Sequence, residues 1–292
     1  VIPEILCDMT NPSNTEPSKT EPNWGSSYRL VASEKWKAKS AAMGRAVTEA
    51  LVEYAAPKPG MRVLDLASGT GEPAISIAML VGAPGKVTAL DLSGDLLEIA
   101  KGRANARGLN NFVTQQADAH ALPFSDNNFD LATSRFGIMF FRDVELALRE
   151  LRRVLCAEAR ACFLAWGSFE QPYWQSMMGV VHRHVGGPLL AAGGADPFRF
   201  AARGSLTSVL ESAGFREVRE ETRTVPWTWP GTPEDVWEQA RSVAVPFRPM
   251  LDRVPQDMWP QIHAEVRAAV RKYVRGENIE FGASVVLASG SK

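Results

Sequence analysis

The chain has 292 residues, a formal net charge of −1 and 22% charged residues, so no global basic field invites nucleic acid or anionic lipid. Its 45% apolar content and its length suit one large α/β domain with insertions, or a domain plus a small cap. No apolar run approaches the roughly 18 residues of a membrane span, and the start has no basic-then-apolar leader. The cysteines are Cys7, Cys156 and Cys162, without a CxxC pair. They point to a reducing cytoplasm and away from a metal or disulfide framework.

Residues 1–27, rich in Pro, Asn, Ser and Thr over 8–27, read as a flexible N-terminal arm. Helical patterning follows from Tyr28 to Ala56 and ends at Pro57, Pro59 and Gly60. Strands and helices then alternate. Met61–Leu66 is a strand, Glu72–Val81 a helix, Lys86–Leu90 a strand ending at Asp91, and Ser93–Arg107 a helix stopped by Gly108. Strands at Asn111–Gln116, Phe129–Thr133 and Arg160–Trp166 follow, with a helix at Val144–Leu155. That rhythm predicts a parallel, doubly wound sheet. The spacing divides the rest into a first cap insert (168–202), a core helix and strand (203–225), a second cap insert (226–276) and a last core strand (277–292). A basic cluster at Arg267, Arg271, Lys272 and Arg275 reads as a solvated helix face.

Asp65-x-Ala67-Ser68-Gly69-Thr70-Gly71 lies at the end of the first strand and opens a helix. Glycine there lets the backbone turn tightly and approach a ligand with no Cβ in the way. The helix N-terminus offers unpaired N–H groups to an anion. Asp65 adds an acceptor for a ligand ammonium, directly or through water. The glycine spacing also fits a dinucleotide site, but Asp65 and Glu72 would meet a pyrophosphate with like charge. Asp91, ending the second strand, suits two vicinal ribose hydroxyls, because one carboxylate can accept both; a plain helix-capping role is the alternative. Leu92 would then line an adenine face. Asp118, after the third strand, can accept an exocyclic amine beside Ala119 and Phe124. Ser134 and Arg135 end the fourth strand, where ligands of open α/β sheets sit. No Asn/Asp-Pro-Pro-Tyr sequence is present, which disfavours an amide or base-nitrogen target.

Val63–Ala78, Val87–Ser93, Asp118–Phe124, Phe129–Phe141 and Glu150–Leu155 together resemble the ubiquinone/menaquinone-biosynthesis C-methyltransferase type of class I methyltransferase. The resemblance covers residues 60–167, about half of the chain. It implies a seven-stranded sheet with the last strand antiparallel; the patterning before residue 57 adds N-terminal helices, and the two inserts should form a helical cap over the sheet's carboxyl edge. It also implies S-adenosyl-L-methionine (SAM) bound at Gly69–Gly71, Asp91, Asp118 and Ala119, with S-adenosylhomocysteine (SAH) as product. In related small-molecule enzymes an aromatic residue of the N-terminal helix closes over the cofactor, and Trp36 or Tyr28 would do so here. Two departures stand out. Ala67 replaces the usual first glycine, and Ala157-Glu158-Ala159 replaces a Pro-Gly-Gly turn.

SAM brings its own electrophile, so such a protein mainly positions and desolvates. A neutral hydroxyl acceptor needs a base, and His182 and His184 in the first insert are the candidates; Tyr28 and Glu170 are weaker ones. The inserts are rich in Trp and Phe, which predicts a small, largely hydrophobic acceptor. A SAM-binding cyclase or regulatory module keeps the fold without the transfer, and a NAD-dependent oxidoreductase is the more distant alternative. The arm could exchange between subunits of a homo-oligomer.

Overall fold

Hydrophobic runs of four or five residues, bounded by turn chemistry, set the centre of the sheet. The computed structural model describes residues 35–292; the arm over 1–27 and Tyr28 lie outside them. Helix α1 (Lys37–Ala55) leads to β1 (Arg62–Leu66), α2 (Ala74–Val81), β2 (Lys86–Asp91), α3 (Gly94–Asn105), β3 (Phe112–Gln116) and β4 (Phe129–Arg135). Then come α4 (Val144–Val154), β5 (Leu155–Trp166), α5 (Pro172–Ser176), α6 (Met178–Val185) and α7 (Ser205–Ser212). The chain continues through β6 (Arg216–Pro230), α8 (Pro233–Val243), α9 (Arg248–Leu251), α10 (Trp259–Arg271), β7 (Val274–Arg275) and β8 (Asn278–Ser291).

The strand order is β3-β2-β1-β4-β5-β8-β6, with the short β7 paired to β8. Neighbours from β3 to β5 pair in parallel, while β8 runs antiparallel to both β5 and β6. This is the seven-stranded sheet with an antiparallel last strand. In β1 and β2 every residue after the first is buried, as helices on both faces require. The Ser93 Oγ accepts the Leu96 N–H at 3.3 Å and starts α3, and Asp143 caps α4 through the Leu146 N–H at 2.9 Å. In α4, Val144, Ala147, Leu148, Leu151 and Val154 form one buried stripe.

Two element bounds differ from the sequence reading. The sixth strand, expected to end by 225, runs to Pro230, so Trp227 and Trp229 stand on a strand and not in the second insert. Its prolines are tolerated because β6 is an edge strand, where a missing N–H breaks no central ladder. The last strand spans Asn278–Ser291 and is preceded by the two-residue β7, which Gly276 at φ +58° turns back onto it. Strand β5 starts at Leu155, and Glu158 takes φ +61° where the family pattern places glycine.

The two inserts do form helices over the carboxyl edge of the sheet. α5 and α6 come from the first, α8 to α10 from the second, and α10 packs on both α8 and α6. Trp174 stacks on Phe247 at 5.2 Å and meets Phe198 edge-on at 5.6 Å, joining the inserts into one core. Among the described residues no helix is long and apolar enough to cross a membrane.

Candidate active site

The loop after β1 is held in a shape that leaves room for a ligand. Ala67, Gly69 and Gly71 take φ of +52°, +54° and +109°, a region that side chains with a Cβ resist. A Cβ on Gly69 would meet nothing within 4 Å, since the residue faces an open cavity. A Cβ on Gly71 would stand 2.6 Å from the Ile75 Cδ1 and 3.2 Å from the Ala100 Cβ. Gly69 thus leaves space for a ligand, and Gly71 for the packing of α2 on α3. Alanine at 67 is accommodated by glycine at 137, where a Cβ would come within 2.5 Å of the Ala67 Cβ. Two further contacts fix the loop. The Gly69 N–H donates to the Asp91 Oδ2 at 2.8 Å, and the Arg103 guanidinium donates to the Thr70 Oγ1 at 2.6 Å.

Behind the loop lies Asp65, wholly buried. Its Oδ1 accepts from the Thr133 hydroxyl at 2.7 Å, while its Oδ2 has no partner among the described residues. Burial pushes its pKa up to about 7, against the Thr133 hydrogen bond and the charge of Arg135. Arg135 ends β4 on the cavity wall. It donates to the Thr48 Oγ1 at 2.6 Å and more weakly to the Gly44 carbonyl at 3.4 Å, tying α1 to the sheet. Burial lowers its pKa, with Glu72 and Asp65 opposing.

At the third strand end, the Asp118 Oδ1 accepts the His120 backbone N–H at 2.9 Å and is bonded to the ring Nδ1. The Asp143 N–H donates to the His120 Nε2 at 3.1 Å. The Nε2 is therefore the acceptor and the Nδ1 carries the proton. Burial alone would raise the Asp118 carboxyl; the His120 N–H groups and Arg142 outweigh it and hold it below the usual range. At the second strand end, the Asp91 Oδ1 accepts from the Ser93 N–H at 2.9 Å.

These strand ends open into one cavity of about 1520 Å³. One half is lined by Ala67, Ser68, Gly69, Thr70, Asp91, Leu92, Asp118 and Ala119, all singled out from the sequence. The other half is aromatic. Phe136, at φ +59°, stacks on Trp166 with ring centroids 4.3 Å apart. Trp166 in turn meets Trp227 edge-on at 5.1 Å and Trp174 at 5.3 Å, with Tyr173 parallel to it at 6.3 Å. Burial holds the Tyr173 phenol well above its ordinary range.

Four of the expected cofactor residues stand off the cavity wall. Asp65 and Gly71 lie behind the loop, and Ser134 spends its hydroxyl on the Leu66 carbonyl at 2.9 Å. Trp36 packs on Trp229 at 5.5 Å, with the Lys35 and Lys39 ammonium groups over its ring. The two histidines are corrected as well: neither lines the cavity. The His182 Nε2 is bonded to the Gly187 carbonyl at 2.9 Å and the His184 Nε2 to the Glu265 carboxylate at 2.9 Å. Both lie in the last turn of α6 and are half-buried, while the buried residues of α6 are Met178, Gly179, Val180 and Val181. Sequence reasoning missed Arg103, Phe136, Trp166, Tyr173 and Gln239. For Trp166 a signal existed, because it closes a strand at its carboxyl end.

The sequence profile of the ubiE/COQ5 methyltransferase family matches residues 40–189, just over half of the chain. The ubiquinone/menaquinone biosynthesis C-methyltransferase UbiE of Shewanella frigidimarina is 33% identical over 181 residues, covering 57% of this chain and 71% of the relative. Among solved structures, the YcgJ protein of Bacillus subtilis superposes with a TM-score of 0.56 at 21% identity, covering 84% of this chain and 97% of the other. A SAM-dependent methyltransferase of Aquifex aeolicus gives 0.50 at 23%, covering 66% and 90%. Those structures share the fold, and the profile and the UbiE relative carry the family. With that match over the loop, the strand ends and the cavity they border, the chain belongs to the ubiE/COQ5 methyltransferase family and is a SAM-dependent methyltransferase.

Proposed function

We propose that the chain holds SAM in the acid-tipped half of the cavity and methylates a small, largely hydrophobic acceptor in the aromatic half. The observation that carries this is the continuity of the two halves in one cavity, meeting at Arg135 and Phe136. The residues present fit SAM. Gly69 faces open space where a Cβ would stand, and Asp65 keeps a buried, unpartnered oxygen behind that loop. In this reading the Asp91 carboxylate takes the two ribose hydroxyls and Leu92, 58% exposed, covers an adenine face. The Asp118 Oδ2 takes the exocyclic amine, since the Oδ1 is committed to His120. Ala67, Ser68, Gly69 and Thr70 form the floor under the amino-acid part. Bound SAM supplies a methyl group on a sulfonium. The chain's own work is to orient the acceptor and exclude water from it.

Neither histidine performs general base chemistry in this reading. Among the described residues of the aromatic half, Tyr173 is the titratable group, and burial keeps its proton on. The acceptor therefore brings a nucleophile needing little activation, such as an electron-rich ring carbon or an acidic enol. The acid-tipped loop disfavours a nicotinamide dinucleotide.

Titration calorimetry should show SAH binding, and methyl-labelled SAM with a metabolite extract should yield a labelled small molecule. The doubly substituted His182→Ala/His184→Ala protein should keep transfer within about threefold, less than the ~100-fold typical of a lost general base. SAH binding without label transfer would favour the cyclase or regulatory module, and no SAH binding would end the proposal. Two glycine variants separate fold from site. Gly71→Ala should lose roughly 2–4 kcal/mol in urea unfolding, from overpacking and a left-handed alanine. Gly69→Ala should lose only about 1–2 kcal/mol while weakening SAH binding at least tenfold.

A further inference from the structure

Among the described residues that line the cavity, Gln239 carries a side-chain amide with an unmet demand. Gln239 lies on α8, whose other buried residues are Val236, Trp237 and Ala240. It is 4% exposed, and its side-chain oxygen is sealed from solvent without a hydrogen-bond partner among the described residues. An amide oxygen in that state costs about 1–3 kcal/mol, and a leucine of similar size would not. Buried polar groups in folded proteins are partnered as a rule, so the exception needs a reason. Here the reason is at hand, because Gln239 lines the cavity together with Ala240, Val243 and Ala244. Trp174 belongs to the same lining, and its buried indole N–H is likewise unpartnered among the described residues.

We infer that Gln239 is a specificity-determining residue that reads a hydroxyl on the otherwise apolar acceptor. The inference rests on the two-compartment reading above. A carbonyl-type oxygen wants a donor, and the indole N–H wants an acceptor. A hydroxyl is both, whereas an ether oxygen satisfies only the indole. The surrounding rings admit a flat apolar body and offer no carboxylate for a cationic one. Gln239 lies outside residues 40–189, the part matched by the family profile. Its choice of acceptor thus belongs to the cap of this chain and not to the shared cofactor fold.

The test uses full-length protein saturated with SAH and two probes of one shape, 1-naphthol and 1-methoxynaphthalene, titrated calorimetrically. Wild type should bind 1-naphthol about tenfold more tightly, the worth of one buried hydrogen bond. Gln239→Leu should bring the two within about twofold of each other while keeping the SAH affinity. It should also raise the melting temperature of the ligand-free protein by about 2–4 °C, since an unmet polar group is removed. Unchanged discrimination in Gln239→Leu, a lowered melting temperature, or no discrimination by SAH-bound wild type would overturn the inference alone. Failure of wild type to bind SAH would overturn the cofactor reading along with it.

Discussion

Asp91→Ala should weaken SAH binding at least about 100-fold, as read by titration calorimetry, while the protein still unfolds cooperatively. The carboxylate does two jobs at once. It accepts the Gly69 and Ser93 N–H groups at 2.8 and 2.9 Å, which holds the glycine loop against the end of β2. Its remaining lone pairs face the cavity, where the ribose hydroxyls are proposed to sit. Hydrogen bonds to a charged group contribute about 1.5–3 kcal/mol each, so losing two removes at least about 3 kcal/mol of binding. That converts to a factor of 100 or more. Asp91→Asn keeps one acceptor oxygen and should lose roughly tenfold. An alanine variant that binds SAH like wild type would remove Asp91 from the site.

Asp65→Asn should make the ligand-free protein more stable at pH 8 by several kcal/mol, and should change it little at pH 4. The Asp65 carboxyl titrates near 7 in the folded chain because burial disfavours its charge, against about 3.9 in an unfolded one. Between those values the folded state binds more protons than the unfolded state, so stability falls as pH rises. The slope is about 1.4 kcal/mol per pH unit, giving on the order of 4 kcal/mol in full. Asparagine carries no such charge, so the difference between the proteins should grow from pH 4 to 7 and then level off. Saturating SAH, whose ammonium favours the carboxylate, should flatten it. Urea unfolding at a series of pH values measures both, and a pH-independent difference would refute the assignment.

What could be read from the sequence was the part whose determinants are local. The turn after β1 needs its glycines within a few residues, Asp91 ends a strand buried from its second residue on, and Asp118 follows the end of β3 by two residues. Eight of the residues expected to hold the cofactor line the cavity. Asp65 illustrates the limit of residue type. Its carboxyl was expected to take a ligand ammonium directly or through water, and it stands off the cavity wall with one oxygen unpartnered among the described residues. His182 and His184 suited a base by residue type, but neither lines the cavity, and their Nε2 atoms are bonded to Gly187 and Glu265. The cap was illegible because its partners are far apart in the chain. Trp227 joins Trp166 and Tyr173 only after β6 pairs with β8, and nothing near residue 227 announces that. Gln239 is a further case. A glutamine on a helix reads as a solvated side chain until tertiary packing buries it.

The position of β8 has a consequence for how the protein is made. Residues 278–291 are inserted between β5 and β6, with Phe163 opposite Ala288 and Cys162 opposite Ser289. Until they emerge during synthesis, β5 offers an apolar open edge, the kind of surface that recruits other nascent strands. The aromatic chamber is also incomplete, because Trp227 reaches it on an edge strand whose strand partner among the described residues is β8. The lining named for the proposed cofactor half lies within residues 67–119, whereas the proposed acceptor half draws Trp227 from a strand that pairs with β8.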